Sequence, residues 1–168
     1  MTKTEIASDV RRLVLDKWPE LERLKGGCCF YMTLAGLFVL RNEGYDPLIQ
    51  AGNMSWPIVK PENDDGVSPT HFSFMWSPNE LASQLAVIEG RMPEFHAWIA
   101  LRPTTIIDFS TSYLPEVCKE TIGLPWGTER PPDFLWTDDL PAGVYYEALP
   151  DATRFVMMKV QQIMESMR

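Results

Sequence analysis

Three residue types that cooperate in covalent catalysis occur in order along this chain. A cysteine lies in Gly26-Gly27-Cys28-Cys29-Phe30-Tyr31, a histidine in Phe95-His96-Ala97-Trp98 and an aspartate in Ile106-Ile107-Asp108-Phe109. A thiolate attacks carbonyl carbon, an imidazole takes and returns the proton, and a carboxylate holds the imidazole in its working tautomer. If the fold brings them together, the chemistry is acyl transfer or amide cleavage.

The elements around these residues decide whether they can meet. From Cys28 to Asn42 the chain has helical length and is apolar nearly all round (Phe30, Met32, Leu34, Leu37, Phe38, Val39, Leu40). Outside a membrane such a helix is surrounded by protein, so it is expected to be the central helix of the domain, with Gly44 as its stop. A cysteine in its first turn is favoured as thiolate by the helix dipole and the free N–H groups there. The cysteine's own N–H is a candidate oxyanion donor, and the preceding glycines, Gly27 included, let backbone or substrate approach closely.

The histidine and aspartate fall on an expected hairpin. Phe95 to Leu101 alternates, Arg102-Pro103-Thr104 supplies turn chemistry, and Thr105 to Phe109 is β-branched and apolar. His96 and Asp108 are equidistant from Arg102 in sequence. An odd loop centred on Arg102 puts them directly opposite on one face, with Cβ atoms about 5 Å apart. An even loop separates them onto opposite faces. The odd register is the one expected here. His71, at the start of another strand-like run, has no carboxylate at matching hairpin spacing and reads as a structural or rim residue.

Elsewhere, Thr4 to Trp18 reads as an amphipathic helix with Ile6, Val10, Leu13 and Leu15 as apolar markers, and Asn79 to Glu89 as a helix carrying Leu81, Leu85 and Ile88. Asp151 to Met167 reads as a closing helix with Phe155, Val156, Val160, Ile163 and Met167 inward. Short strands are expected at Pro47 to Gly52, His71 to Trp76, Phe95 to Leu101, Thr104 to Phe109 and Gly143 to Glu147. Pro61 to Pro69 reads as a solvated loop. Pro115 to Pro141, with Trp126 and Trp136, reads as an irregular lid or binding rim. Helices first and then mostly strands is an α+β arrangement, here expected as a single domain over residues 1–168.

Composition removes several function classes. A net charge of −8 and a pI near 4.7 argue against nucleic-acid partners, which need a basic surface, and against anionic membranes. Three cysteines, two of them adjacent, form no disulfide framework and point to a reducing, cytoplasmic setting. The polar stretch Met1 to Arg12 does not read as a signal peptide. No CxxC, HExxH or glycine-rich phosphate loop is present, so neither a metal nor a cofactor is expected. The partner expected is a small-molecule or peptide substrate.

In the order and spacing of these motifs the chain resembles the transglutaminase-like branch of the papain-like cysteine-enzyme superfamily, over roughly Gly26 to Ser110. Gly27-Cys28-Cys29 opens the helix and Arg41-Asn42-Glu43-Gly44 closes it. His96-Ala97-Trp98 matches the family's His-x-Trp setting, and Ile106-Ile107-Asp108 its aspartate on the next strand. Gly26-Gly27-Cys28-Cys29-Phe30 is also similar to the Gly-Gly-x-Cys-Phe of arylamine N-acetyltransferases, which share that fold. The resemblance implies a buried cysteine-bearing helix packed on an antiparallel sheet, and its spacing to Arg41 and Gly44 selects Cys29 as nucleophile, with His96 and Asp108 as partners. It implies an acyl-enzyme intermediate resolved by water or by an amine, on an amide, peptide or thioester. Gly27, Cys28, Gln50, Asn53 and Trp98 are the candidates for substrate or oxyanion contacts. The alternative is an inert domain of the same fold that binds a peptide or protein, with Pro115 to Pro141 as its recognition surface.

Overall fold

The computed structural model describes residues 1–24, 28–77, 79–89, 94–102 and 104–166. It is an α+β fold built on one antiparallel sheet. The strands are β1 (Leu48–Pro57), β2 (His71–Phe74), β3 (His96–Leu101), β4 (Thr105–Asp108), β5 (Leu135–Thr137) and β6 (Tyr145–Ala148). The helices are α1 (Lys3–Lys17), α2 (Leu21–Leu24), α3 (Cys28–Asn42), α4 (Leu81–Ile88), α5 (Leu114–Ile122) and α6 (Pro150–Ser166).

Helix α3 has the bounds its apolar run implies. It closes in a Schellman motif, with Gly44 N–H donating to Arg41 O and Tyr45 N–H to Leu40 O, both at 3.0 Å. Gly44 takes φ 85°, open to glycine without strain. One side of α3 packs with α1, whose Ile6, Val10 and Val14 are fully buried, and with Ile99 and Ile107 of the sheet. The other side packs with Ala152, Val156 and Val160 of α6 and with Ile49, Ala51 and Ala97. In α1 the deepest positions run Ile6, Val10, Val14 at four-residue spacing, so Val14 takes the place expected of Leu13 and Leu15, which are half-buried.

The opposite face of the sheet is covered by α5 and the segments around it. Leu114, Val117 and Cys118 pack against Met54, Trp56, Phe72 and Leu135. This corrects the reading of Pro115 to Pro141 as irregular. Pro115 sits in the first turn of α5, where a missing N–H is no loss, and Leu114, Val117 and Cys118 recur at helical spacing. Further on, Leu135–Thr137 pairs with β4 as β5. Both elements are so short, and so flanked by proline, that their periods do not stand out. In α4, by contrast, Leu81, Leu85 and Ile88 are 69%, 42% and 79% exposed, so these three do not enter the core. Met167 lies outside the described residues.

Strand β1 is the longest and the hub. Met54 and Ser55 pair with both β2 and β6, and Gly52 pairs with His96 of β3 and Ala148 of β6. Strands β3 and β2 therefore share one edge of β1, and β6 lies along the other. At the crossing a side chain is impossible on steric grounds: a Cβ on Gly52 would stand 2.0 Å from Glu147 O and 2.8 Å from Leu149 N. Asn53 braces the same junction, its Nδ2 donating to Glu147 Oε2 at 3.0 Å and its Oδ1 accepting from Trp76 N–H at 2.9 Å.

Among the described residues no helix is long and apolar enough to cross a membrane. Because the atoms facing Gly52 are backbone, they cannot rotate away, and Gly52→Ala has to push β6 off β1. The expected loss is about 2–4 kcal/mol, a fall in Tm of roughly 5–15 °C by thermal denaturation. An unchanged Tm would mean that β6 does not run against Gly52.

Candidate active site

His96 and Asp108 arrive on one face by strand periodicity. In the β3–β4 hairpin Leu101 pairs with Thr105, Ala100 with Ile106 and Ile99 with Ile107. Positions 102–104 connect the strands, so the loop is odd and both residues share a face. Its centre is position 103 rather than Arg102, which corrects the expected register by one step. Continuing that register sets Asp108 level with Trp98, diagonal to His96 instead of opposite it. The centre falls on Pro103, which has no N–H to give a ladder; its structure lies outside the described residues. Diagonal neighbours are farther apart, but an imidazole has the reach. His96 Nε2 meets Asp108 Oδ2 at 2.6 Å.

The pair is almost inaccessible, His96 being 1% and Asp108 2% exposed. Aromatic rings pack around the imidazole: Phe74 stacks on it at 5.4 Å, Trp98 lies parallel at 6.3 Å and Tyr146 meets it edge-on at 6.0 Å. A carboxylate survives there only with its lone pairs satisfied. Asp108 Oδ1 accepts from Ser110 N–H at 2.8 Å and Ser110 Oγ at 2.6 Å, while Oδ2 accepts from Tyr146 OH at 2.7 Å as well as from His96. Burial alone raises the carboxyl, but the His96 charge and these donors outweigh it and hold Asp108 below its ordinary value.

The same balance operates on His96. Burial, the largest influence, pulls the imidazolium down; the Asp108 charge and hydrogen bond, then Cys29, overturn it and raise the group to about 10. Every neighbour of Asp108 is a donor, so Nε2 carries its proton and points it at the carboxylate. Nδ1 has no hydrogen-bond partner and is the ring atom not committed to Asp108. Cys29 is close enough to His96 to add to the groups that raise the imidazole. Cys29 sits in the first turn of α3, half-exposed, where that turn comes to the head of β3. Cys29 is thus more open to solvent than the imidazole and carboxylate.

The other candidates separate clearly. Cys28 is buried in the core at 5% exposure, and no disulfide joins the three cysteines. Burial pushes the Cys118 thiol up. Trp98 is 1% exposed and its Nε1 donates to Gln50 Oε1 at 3.0 Å, which orients the Gln50 amide on the His96 face. The Asn53 amide is engaged between strands. Gly27, like Gly26, lies outside the described residues. His71 is exposed at the rim beside Thr70 Oγ1.

Two partners escaped the sequence reading. Ser110 carries a local signal, a hydroxyl two residues after an aspartate, the spacing of an Asx-type turn. Tyr146 carries none, being 38 residues from Asp108 in sequence. No protein-family model, no curated protein and no solved structure matches the chain.

The coupled pair makes stability depend on pH. Raising the His96 value above the unfolded 6.5 stabilises the fold fully below pH 6.5, and that part is lost as pH rises towards about 10. Lowering the Asp108 value below 3.8 stabilises it above that pH, and that part is lost on further acidification. Wild-type Tm, measured against a His96→Gln control, is therefore expected to peak between the two unfolded values and to decline from pH 6.5 to 10. A difference that stays flat over that span would show that His96 and Asp108 do not interact in the folded protein.

Proposed function

We propose that this protein is a cysteine-nucleophile hydrolase or acyltransferase of the transglutaminase-like, papain-like type, acting on an amide, peptide or thioester through an acyl-enzyme. The observation that carries this reading is the buried His96–Asp108 pair, with its second ring nitrogen uncommitted and Cys29 among the groups that act on the ring. A buried charged pair is a poor device for stability alone, since well-packed apolar residues commonly serve as well or better. The cysteine-bearing helix against an antiparallel sheet, with histidine and aspartate on adjacent strands, is the architecture that family resemblance implies.

In the proposed reaction the Cys29 proton already rests on His96 Nδ1, as the raised imidazole favours, and the thiolate sulfur attacks the carbonyl carbon. Asp108 stabilises the imidazolium without itself taking the proton. The tetrahedral intermediate collapses as His96 returns its proton to the leaving nitrogen, oxygen or sulfur, and the acyl group remains as a thioester on Cys29. Water, deprotonated by Nδ1, then attacks the thioester, and the acid leaves with the thiol regenerated. An amine in place of water gives acyl transfer. Hydrolysis is preferred because water is always at hand. Three cysteines outside disulfides fit a reducing, cytoplasmic setting.

The alternative, an inert binding module, relies on Pro115 to Pro141 as a free recognition surface. Residues 115–122 and 135–137 of that stretch are instead committed to α5 and β5.

p-Nitrophenyl acetate, an activated ester, is expected to acetylate Cys29 and to be turned over, with the label located by peptide mass spectrometry. Cys29→Ala should abolish both, Cys28→Ala should retain them, and His96→Ala should slow acylation by about 10²–10⁴-fold. Acetylation at Cys28, or a Cys29 rate indifferent to His96, would overturn the proposal.

A further inference from the structure

Beyond Cys29 and His96, the proposed chemistry asks only that Asp108 orient the imidazole, yet the structure supplies a further partner. Tyr146, on β6, donates from its hydroxyl to Asp108 Oδ2 at 2.7 Å, the same oxygen that receives His96 Nε2 at 2.6 Å. Trp56 Nε1 in turn donates to the phenol oxygen at 3.4 Å. The ring is held edge-on against Trp98 at 5.1 Å and against His96 at 6.0 Å. Its neighbour Tyr145 points outward and is 48% exposed, so the strand alternation turns Tyr146 inward. Burial and the facing carboxylate charge push the phenol well above its usual range, so it remains a donor wherever His96 titrates.

We propose that Tyr146 is a positioning residue for this reaction: by sharing Asp108 Oδ2 with His96 it fixes the carboxylate's direction and moderates its hold on the imidazolium. The inference rests on the reading of Cys29, His96 and Asp108 as a catalytic unit. An oxygen that accepts two hydrogen bonds offers a weaker lone pair to each. Ser110 anchors only Oδ1, so without the phenol the charge on Oδ2 is given to His96 alone. The imidazolium then holds its proton harder, and less neutral imidazole is present at neutral pH to deprotonate the water that resolves the acyl-enzyme.

Tyr146→Phe in the full chain isolates this effect, because the ring packing is retained and only the hydroxyl is lost. Two readouts are followed: the titration of His96 in ¹⁵N-histidine-labelled protein, and loss of acetyl from Cys29 after labelling with p-nitrophenyl acetate, across pH. The His96 midpoint is expected to rise by about 0.5–1 pH unit. Deacetylation at neutral pH should slow by roughly 3–10-fold, in step with that rise and recovering at higher pH. An unmoved His96 midpoint overturns the proposal, as does a uniform loss of rate without recovery at high pH, which is what a merely structural tyrosine would give.

Should Tyr146→Phe fail to fold, the wild type supplies the test. The ¹³Cζ signal of Tyr146 is expected to follow the titration of His96, and independent titrations overturn the proposal. A wild type that is never acetylated at Cys29, together with a shifted His96 midpoint in Tyr146→Phe, removes the catalytic reading while leaving the Tyr146–Asp108–His96 coupling in place.

Discussion

The contact between His96 Nε2 and Asp108 Oδ2 is the constraint around which this molecule is arranged. Both side chains are shut away from water among aromatic rings, where an unmatched charge or lone pair is costly. The pair is tenable because each oxygen of the carboxylate meets donors. Three strands supply them: β3 brings the imidazole, β4 the carboxylate with Ser110 just beyond its end, and β6 the phenol. A change in pairing on any of these strands leaves a buried polar atom without its partner.

That requirement explains features remote from the chemistry. Gly52 is paired with His96 on one edge and crossed closely by the backbone of β6 on the other, so the absence of a side chain there lets β6 reach the site. Asn53, the next residue, ties β1 to Glu147 on β6 and to the end of β2, which holds the ring of Phe74 over His96. Helix α3 is positioned by core contacts on two sides, and its first turn carries Cys29 near enough to His96 to act on its charge.

Burial also shapes the proposed chemistry. With the thiol more open to solvent than the imidazole and carboxylate, an incoming carbonyl meets sulfur first, and the uncommitted Nδ1 is the ring atom that holds and returns the proton. The low-polarity walls strengthen each charge interaction in the cluster, which is why the Asp108 charge and hydrogen bond, with Cys29 adding to them, can overcome the penalty that burial alone places on the imidazolium.

How much of this was legible in the chain depends on the range of the interaction responsible. Helix α3 was readable to its ends because an all-round apolar run and a terminating glycine are local signals. That His96 and Asp108 share a face was readable too, since side chains alternate along a strand and the turn residues mark the hairpin. Their diagonal placement was not, because moving the loop centre by one residue preserves the face while changing the partner. Helix α5 and strand β5 were hidden by brevity and flanking prolines; α5 covers one face of the sheet, and β5 extends that sheet beyond β4. The exposed Leu81, Leu85 and Ile88 follow the opposite rule: their spacing is helical, and nothing in the pattern says whether another element lies against them. The residue types and their order along the chain thus determined the candidate chemistry by themselves. The tertiary structure alone decided which tyrosine completes it and why Gly52 must be glycine, because both follow from β6 returning to β1, a pairing between segments some ninety residues apart that leaves no periodic trace in either.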